Sequence, residues 1–182
     1  MDELHLRFME TAIEEAEKAG QRDEVPIGAI LVDESGNVLA KACNLTITAS
    51  DPTAHAEILV LRQAAEKINN YRLLNTTLYV TVEPCLMCMG AIVHARVAKV
   101  VFGAWDPKWG AAGSLYDFSK DLRLNHQPEI IGGVCEDVCR TLMQSFFRRK
   151  RIARGQGSSR PESGSGRPDM HGAAEHRAGY EF

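Results

Sequence analysis

Two short segments constrain this chain more than any other feature: Thr53-Ala-His-Ala-Glu57 and Glu83-Pro-Cys-Leu-Met-Cys88. Cys85 and Cys88 stand three apart beside Pro84, a residue suited to the first helical position, so both sulfurs fall on one helix face. A helix N-terminus favours negative charge and helps hold both as thiolates. His55 stands at the start of a different predicted helix. If the two helix starts meet, one imidazole and two thiolates form a Zn²⁺ site. Glu57 lies only two residues from His55, a spacing that sends mid-helix side chains apart and lets them converge only at a helix tip. The sequence puts both residues at such a tip.

Counting ligands narrows the chemistry. A structural zinc is normally closed by four protein ligands, whereas a catalytic one keeps a position for water. No second Cys-x-x-Cys and no His-x₃-His completes the set. Cys43 could serve as a fourth ligand, while His94 falls on another face of its helix. Three ligands beside a carboxylate favour a zinc-activated water with Glu57 as general base. Two thiolates cancel the metal's charge, so the water is less acidified than in a three-histidine site and needs that base. The competing reading is a small structural zinc knuckle with Glu57 as a solvated helix residue.

The surrounding pattern supplies the frame. Leu4, Phe8, Met9, Ala12, Ile13 and Ala16 recur at helical spacing, with Gly20 as the expected C-cap. Strands follow at Pro26–Val32 and Val38–Cys43, joined by Glu34-Ser-Gly-Asn37 as a hairpin turn. Asp51 or Thr53 is the expected N-cap of a helix carrying Ile58, Leu59, Leu61, Ala65 and Ile68. A third strand spans Thr77–Val82, and the helix opened by Pro84 runs to about Ala95. Val97–Ala104 and Glu129–Val134 read as the last two strands, separated by a loop from Trp105 to Asp117. A final helix from about Glu136 aligns Val138, Leu142, Phe146 and Phe147. The order αββαβαββα implies an α/β three-layer sandwich, a mixed five-stranded sheet covered by helices. Residues 1–154 form the domain. From Gly155 the chain turns rich in Gly, Ser and Pro, and residues 155–182 read as a disordered tail.

Composition excludes several classes. At 182 residues, 45% hydrophobic and 25% charged, the chain suits one soluble globular domain. No apolar run approaches the roughly 18–20 residues of a membrane span. The N-terminal segment carries acids throughout and has no apolar stretch, so no secretory signal is expected and the location is cytoplasmic. Five cysteines, an odd number, then point to metal binding or catalysis instead of a disulfide framework. Cys135 and Cys139 read as packing residues. The formal net charge of −3 argues by itself against a nucleic-acid partner. That average conceals six bases and no acid between Arg140 and Arg154. Arg148, Lys150 and Arg151 follow two phenylalanines able to stack on bases, and phosphate contact is the better reading of that cluster.

At these residues the chain resembles the zinc-dependent nucleobase deaminases over about Leu4 to Arg151. Within that superfamily it is most similar to the bacterial tRNA adenosine deaminases. The likeness is carried by Asp51-Pro-Thr-Ala-His-Ala-Glu57, Tyr79-Val-Thr-Val-Glu-Pro-Cys85, Val101-Phe-Gly-Ala104, Gly110-Ala-Ala-Gly-Ser-Leu115 and Phe146-Phe-Arg148. The resemblance implies a cytidine deaminase-like fold and a homodimer with one Zn²⁺ per subunit, held by His55, Cys85 and Cys88. It implies Glu57 as the catalytic proton shuttle, Asn44 in contact with the target nucleoside and Asp106 with the RNA strand near it. The implied reaction converts the wobble adenosine of a tRNA anticodon stem-loop to inosine, on a base extruded into the site, as in this deaminase class generally. Trp105 and Trp109 stand where smaller or polar residues are expected in relatives. Two alternatives are a deaminase of free cytidine, cytosine or guanine, and a non-catalytic zinc-stabilised RNA-binding module, which would need a fourth protein ligand.

Overall fold

A computed structural model of the chain describes residues 3–156. Five strands form one mixed sheet: β1 (Gly28–Val32), β2 (Val38–Cys43), β3 (Thr77–Val82), β4 (Lys99–Ala104) and β5 (Glu129–Ile131). Their order across the sheet is β2-β1-β3-β4-β5. β1 pairs antiparallel with both β2 and β3, whereas β3, β4 and β5 run parallel. Four helices cover it: α1 (Glu3–Gln21), α2 (Ala56–Ile68), α3 (Leu86–Ala95) and α4 (Glu136–Gln156).

The layering follows from the two-residue period of a strand, which sends alternate side chains to opposite faces. Ala29 and Leu31 of β1, Leu78 and Val80 of β3, and Val100 and Phe102 of β4 pack with Val60, Leu61, Met89 and Ile92 of α2 and α3. Ile30, Val32, Tyr79 and Val101, from the same strands, pack with Phe8, Met9 and Ala12 of α1 and Cys139 of α4. The result is the expected three-layer sandwich, with both sheet faces buried. Helix α1 lies directly on the β1 backbone at Gly28. A Cβ there would meet the Ala12 carbonyl oxygen at 2.1 Å and the Ala16 nitrogen at 2.3 Å, so no other residue fits without moving the helix.

Several boundaries differ from the expected ones. Helix α1 passes through Gly20 to Gln21, and the chain turns at Asp23, whose φ is 64°. Helix α2 begins at Ala56 with His55 as N-cap, not at Asp51 or Thr53. The Asp51 Oδ1 is spent on its own turn, accepting the Thr53 N–H and hydroxyl, each at 2.7 Å. Pro84 lies one residue before the N-cap of α3, Cys85. β5 stops at Ile131 because Gly132 and Gly133 follow, the latter at φ 85°. The buried side of α4 is Cys139, Met143 and Phe146, and Val138 is 53% exposed, so the face is rotated by about one residue from the expected one. Likewise Ile68 of α2 is exposed, and Val60 and Ala64 take the inner face. Helix α4 continues to Gln156, two residues past the expected domain boundary. The rest of the 155–182 segment, expected to be a disordered tail, lies outside the described residues. Among the described residues, no helix is long and apolar enough to cross a membrane.

One edge of the sheet collects the ends that matter. Asn44 follows β2, Glu83 follows β3 and Asp106 lies just past β4, so all three emerge where the carboxyl ends of the parallel strands open. Ligand sites in open α/β sheets form outside those strand ends.

Candidate active site

His55 and Cys85 are the N-caps of α2 and α3, and neither side chain caps its own helix. Capping positions normally carry Ser, Thr, Asp or Asn, whose oxygen accepts a first-turn N–H. Here the two side chains turn toward each other instead. For α2 the duty passes to Asn44, whose Oδ1 accepts the Ala56 N–H at 2.8 Å. The Nδ1 of His55 lies 3.8 Å from the Cys85 Sγ and 3.5 Å from the Cys88 Sγ. Tetrahedral zinc, with sulfur near 2.3 Å and nitrogen near 2.0 Å, separates such ligand atoms by about 3.5 Å. The ligand atoms of His55, Cys85 and Cys88 all lie within 4.8 Å of one another. This donor set fits one zinc ion.

Among the described residues no fourth His, Cys, Asp or Glu joins the cluster. Cys43 is buried at the end of β2 and is not one of the three. His94 is exposed on α3. The fourth protein ligand required by a purely structural zinc module is therefore not found among these residues.

Glu57, in the first turn of α2, is buried, and its Oε2 has no hydrogen-bond partner. A buried unpaired carboxylate oxygen is costly, and one beside a metal-ligand cluster is a candidate for a chemical role. Burial pushes the Glu57 carboxyl up to about 7, where it can both take and give a proton near neutrality. The hydrogen bond from Cys88 draws the Cys85 thiol down to about 4, against the effect of burial, with a further contribution from His55. The same interaction and burial push Cys88 up. The pair thus holds one thiolate readily, and the metal's charge would have to release the second proton.

A cavity of about 540 Å³ opens over this cluster. Its wall includes Asn44, Thr46, His55, Glu57, Cys85, Asp106, Trp109, Met143 and Phe147. The expected substrate residues Asn44 and Asp106 are both present there. The carboxylate of Asp106 also organises its own loop, its Oδ1 accepting the N–H groups of Lys108 and Trp109 at 3.0 and 3.2 Å. Met143, Phe147 and Arg151 follow at helical spacing of four, so the basic end of α4 continues the stripe that lines the cavity. Of the three expected RNA-contacting bases, Arg148 and Arg151 are exposed, and Lys150 is paired with Asp23. Arg140, counted in the same basic run, is paired with Glu136 and Asp137. Phe146 is core, and Phe147 faces the site. Cys139 is buried and its thiol is pushed up to about 12 by burial, which makes it inert.

Glu83 is the residue whose role the sequence did not show. It is buried, and its two oxygens accept the N–H groups of Asp106, Ala112 and Ser114 at 3.1, 2.9 and 2.9 Å. The Ser114 hydroxyl also donates to it. The single available signal was an acid directly before Pro-Cys.

Comparison with known proteins agrees with this geometry. The family description "Cytidine and deoxycytidylate deaminase zinc-binding region" matches residues 2–104. The tRNA-specific adenosine deaminase of Haemophilus influenzae is 49% identical over 149 residues, covering 82% of this chain and 86% of the relative. The chain belongs to the tRNA-specific adenosine deaminase family. The Bacillus subtilis relative of that name is 49% identical over 150 residues, 82% of this chain and 91% of its own length. A solved structure from a study of A-to-I editing by tRNA:A34 deaminases superposes with a TM-score of 0.72 at 46% identity. It covers 75% of this chain and 98% of that one.

Proposed function

We propose that this deaminase converts adenosine at the wobble position of tRNA to inosine by hydrolysis. The observation that carries the reading is the buried Glu57 carboxyl, with an unpartnered oxygen, beside a three-ligand zinc cluster on a cavity wall. A Zn²⁺ held by His55, Cys85 and Cys88 supplies a Lewis acid that lowers the pKa of water toward neutrality. Glu57 accepts a proton from the attacking water and hands it to the ring nitrogen beside the reacting carbon. The remaining proton passes to the exocyclic amine, the C–N bond breaks, and ammonia leaves as the carbonyl forms. Asn44, its Oδ1 committed to α2, has its NH₂ end left for the base in the cavity. Asp106 holds the wall against which the strand lies.

The substrate reading rests on the family and on charge. Arg148 and Arg151 extend the cavity-lining stripe of α4 as phosphate contacts, with Lys150 a weaker member because Asp23 neutralises it. An anticodon loop presents an unpaired base that can be extruded at small cost. A homodimer is supported by α3, which leaves Leu86 exposed beside the site and open space over Gly90. A tRNA substrate places the enzyme in the cytoplasm.

The test is an anticodon stem-loop carrying wobble adenosine, set beside free adenosine, cytidine, cytosine and guanine. Inosine should form in the RNA alone. The Glu57→Gln variant should lose at least 10²-fold in rate, the scale of general acid–base catalysis, with zinc content unchanged by elemental analysis. Deamination of the free compounds at comparable rate would reject the tRNA assignment, and zinc loss on Glu57→Gln would reject its assignment as proton shuttle.

A further inference from the structure

The chain holds two tryptophans, Trp105 and Trp109, four residues apart in the loop that follows β4, and the structure treats them differently. Trp105 packs edge-on against Phe102, ring centroids 4.7 Å apart at 90°, and a Cβ on Gly132 would lie 2.7 Å from its ring. Its ring is packed on one side yet stays 42% exposed, and it does not line the cavity over the zinc cluster. Trp109 lines the cavity over the zinc cluster and remains 65% exposed. A large apolar ring left in water at the mouth of a site calls for a partner that covers it.

The backbone beneath that ring is held from three sides. The Trp109 N–H donates to Asp106 Oδ1 at 3.2 Å, and the Gly110 N–H to the Asp106 carbonyl at 2.9 Å. Gly110 bridges to Cys85, itself a zinc ligand, and Ala111 N–H donates to the Pro84 carbonyl at 2.9 Å. Glu83 fixes the residues on either side. A Cβ on Gly110 would meet the Glu83 carboxyl carbon at 2.3 Å, so the loop is packed down against that carboxylate. The ring is therefore presented at a set distance from the reacting centre, without further ordering of the loop on binding.

We propose that Trp109 is a stacking platform for a nucleobase that neighbours the target nucleotide, and thereby a specificity-determining residue. The inference rests on the RNA reading above. Once the target base is turned into the cavity, the strand on either side must cross its mouth, and an unpaired base there offers a π-face. Single-stranded RNA is recognised largely through such stacking on exposed aromatic rings. Arg151 stands one turn beyond Phe147 of the same cavity wall and suits the phosphates of that strand.

The experiment compares the zinc-loaded full chain with Trp109→Ala and Trp109→Phe on three anticodon stem-loops: intact, abasic on the 5′ side of the wobble adenosine, and abasic on its 3′ side. Base–aromatic stacking corresponds to roughly a 5- to 150-fold change in binding. Wild type should show a KM raised by that factor on one abasic RNA. Trp109→Ala should show the same rise on the intact RNA, no further rise on the abasic one, and little change in kcat. Trp109→Phe should recover most of the loss. An unchanged KM in Trp109→Ala, or an abasic penalty that persists in it, overturns the proposal while leaving RNA deamination standing. A change in the sedimenting species on Trp109→Ala also overturns it, since the ring would then contact a second copy of the chain. Absence of inosine with wild type on all three RNAs rejects the RNA reading itself, and the platform with it.

Discussion

Glu83 accepts hydrogen bonds from three backbone N–H groups and one hydroxyl. A Gln at that position matches its size but has one acceptor where two are needed. With its oxygen toward Ala112 and Ser114, its NH₂ faces the Asp106 N–H and leaves a buried donor unpaired. Glu83→Gln should therefore cost about 1–3 kcal/mol in urea unfolding, and should raise KM for the RNA with zinc content preserved. A variant as stable as wild type would show the loop to be held by other contacts. The contrast with His55, Glu57, Cys85 and Cys88 explains what the sequence disclosed. Metal chemistry demands particular side chains at particular spacings, so the three ligands could be read directly and Glu57 proposed beside them. A carboxylate that serves backbone donors has partners of any residue type, and its role is invisible until the loop is folded over it.

The same logic governs the elements. Helix and strand identities followed from apolar periodicity, yet the starts of α2 and α3 were misplaced because their N-caps are a histidine and a cysteine engaged elsewhere. Capping preferences fail where the capping position is given to a metal. The loop after Asn44 shows a second buried carboxylate at work. Glu24 is fully buried and accepts from the Thr48 and Ile47 N–H groups at 2.6 and 3.1 Å, and from the Thr46 hydroxyl at 3.2 Å. Burial alone raises its pKa, but these donors outweigh it and hold the carboxyl below the ordinary 4.5. Because the folded value is depressed, the stabilisation is complete above the unfolded pKa and is lost as pH falls through the folded one. The stability gap between wild type and Glu24→Gln should thus be open at pH 7 and narrow below about pH 4. A gap independent of pH would mean that the carboxylate's charge is not what orders the loop.

Across the whole molecule the informative quantity is where charge lies, since a net of −3 describes no part of the surface. Two bases of the C-terminal run are answered by acids, Arg140 by Glu136 and Asp137, and Lys150 by Asp23. The Arg140 pairs stand at helical spacing, but the Lys150 pair could not be read from the sequence, because Asp23 lies 127 residues away. Arg148 and Arg151, both exposed, are the bases proposed to meet phosphate. Replacing both with alanine should lower the slope of log binding against log salt by about 1.4, the single-strand value for two contacts. An unchanged slope would remove α4 from the interface.

The molecule also carries its own optical reporter. Both tryptophans of the chain belong to the loop that Glu83 pins beside the zinc ligands, one ring 42% exposed with an edge-on contact to Phe102 and the other 65% exposed. Tryptophan emission from this protein therefore samples the rim of the active site, through two partly exposed fluorophores only four residues apart, the more open of them at the cavity mouth.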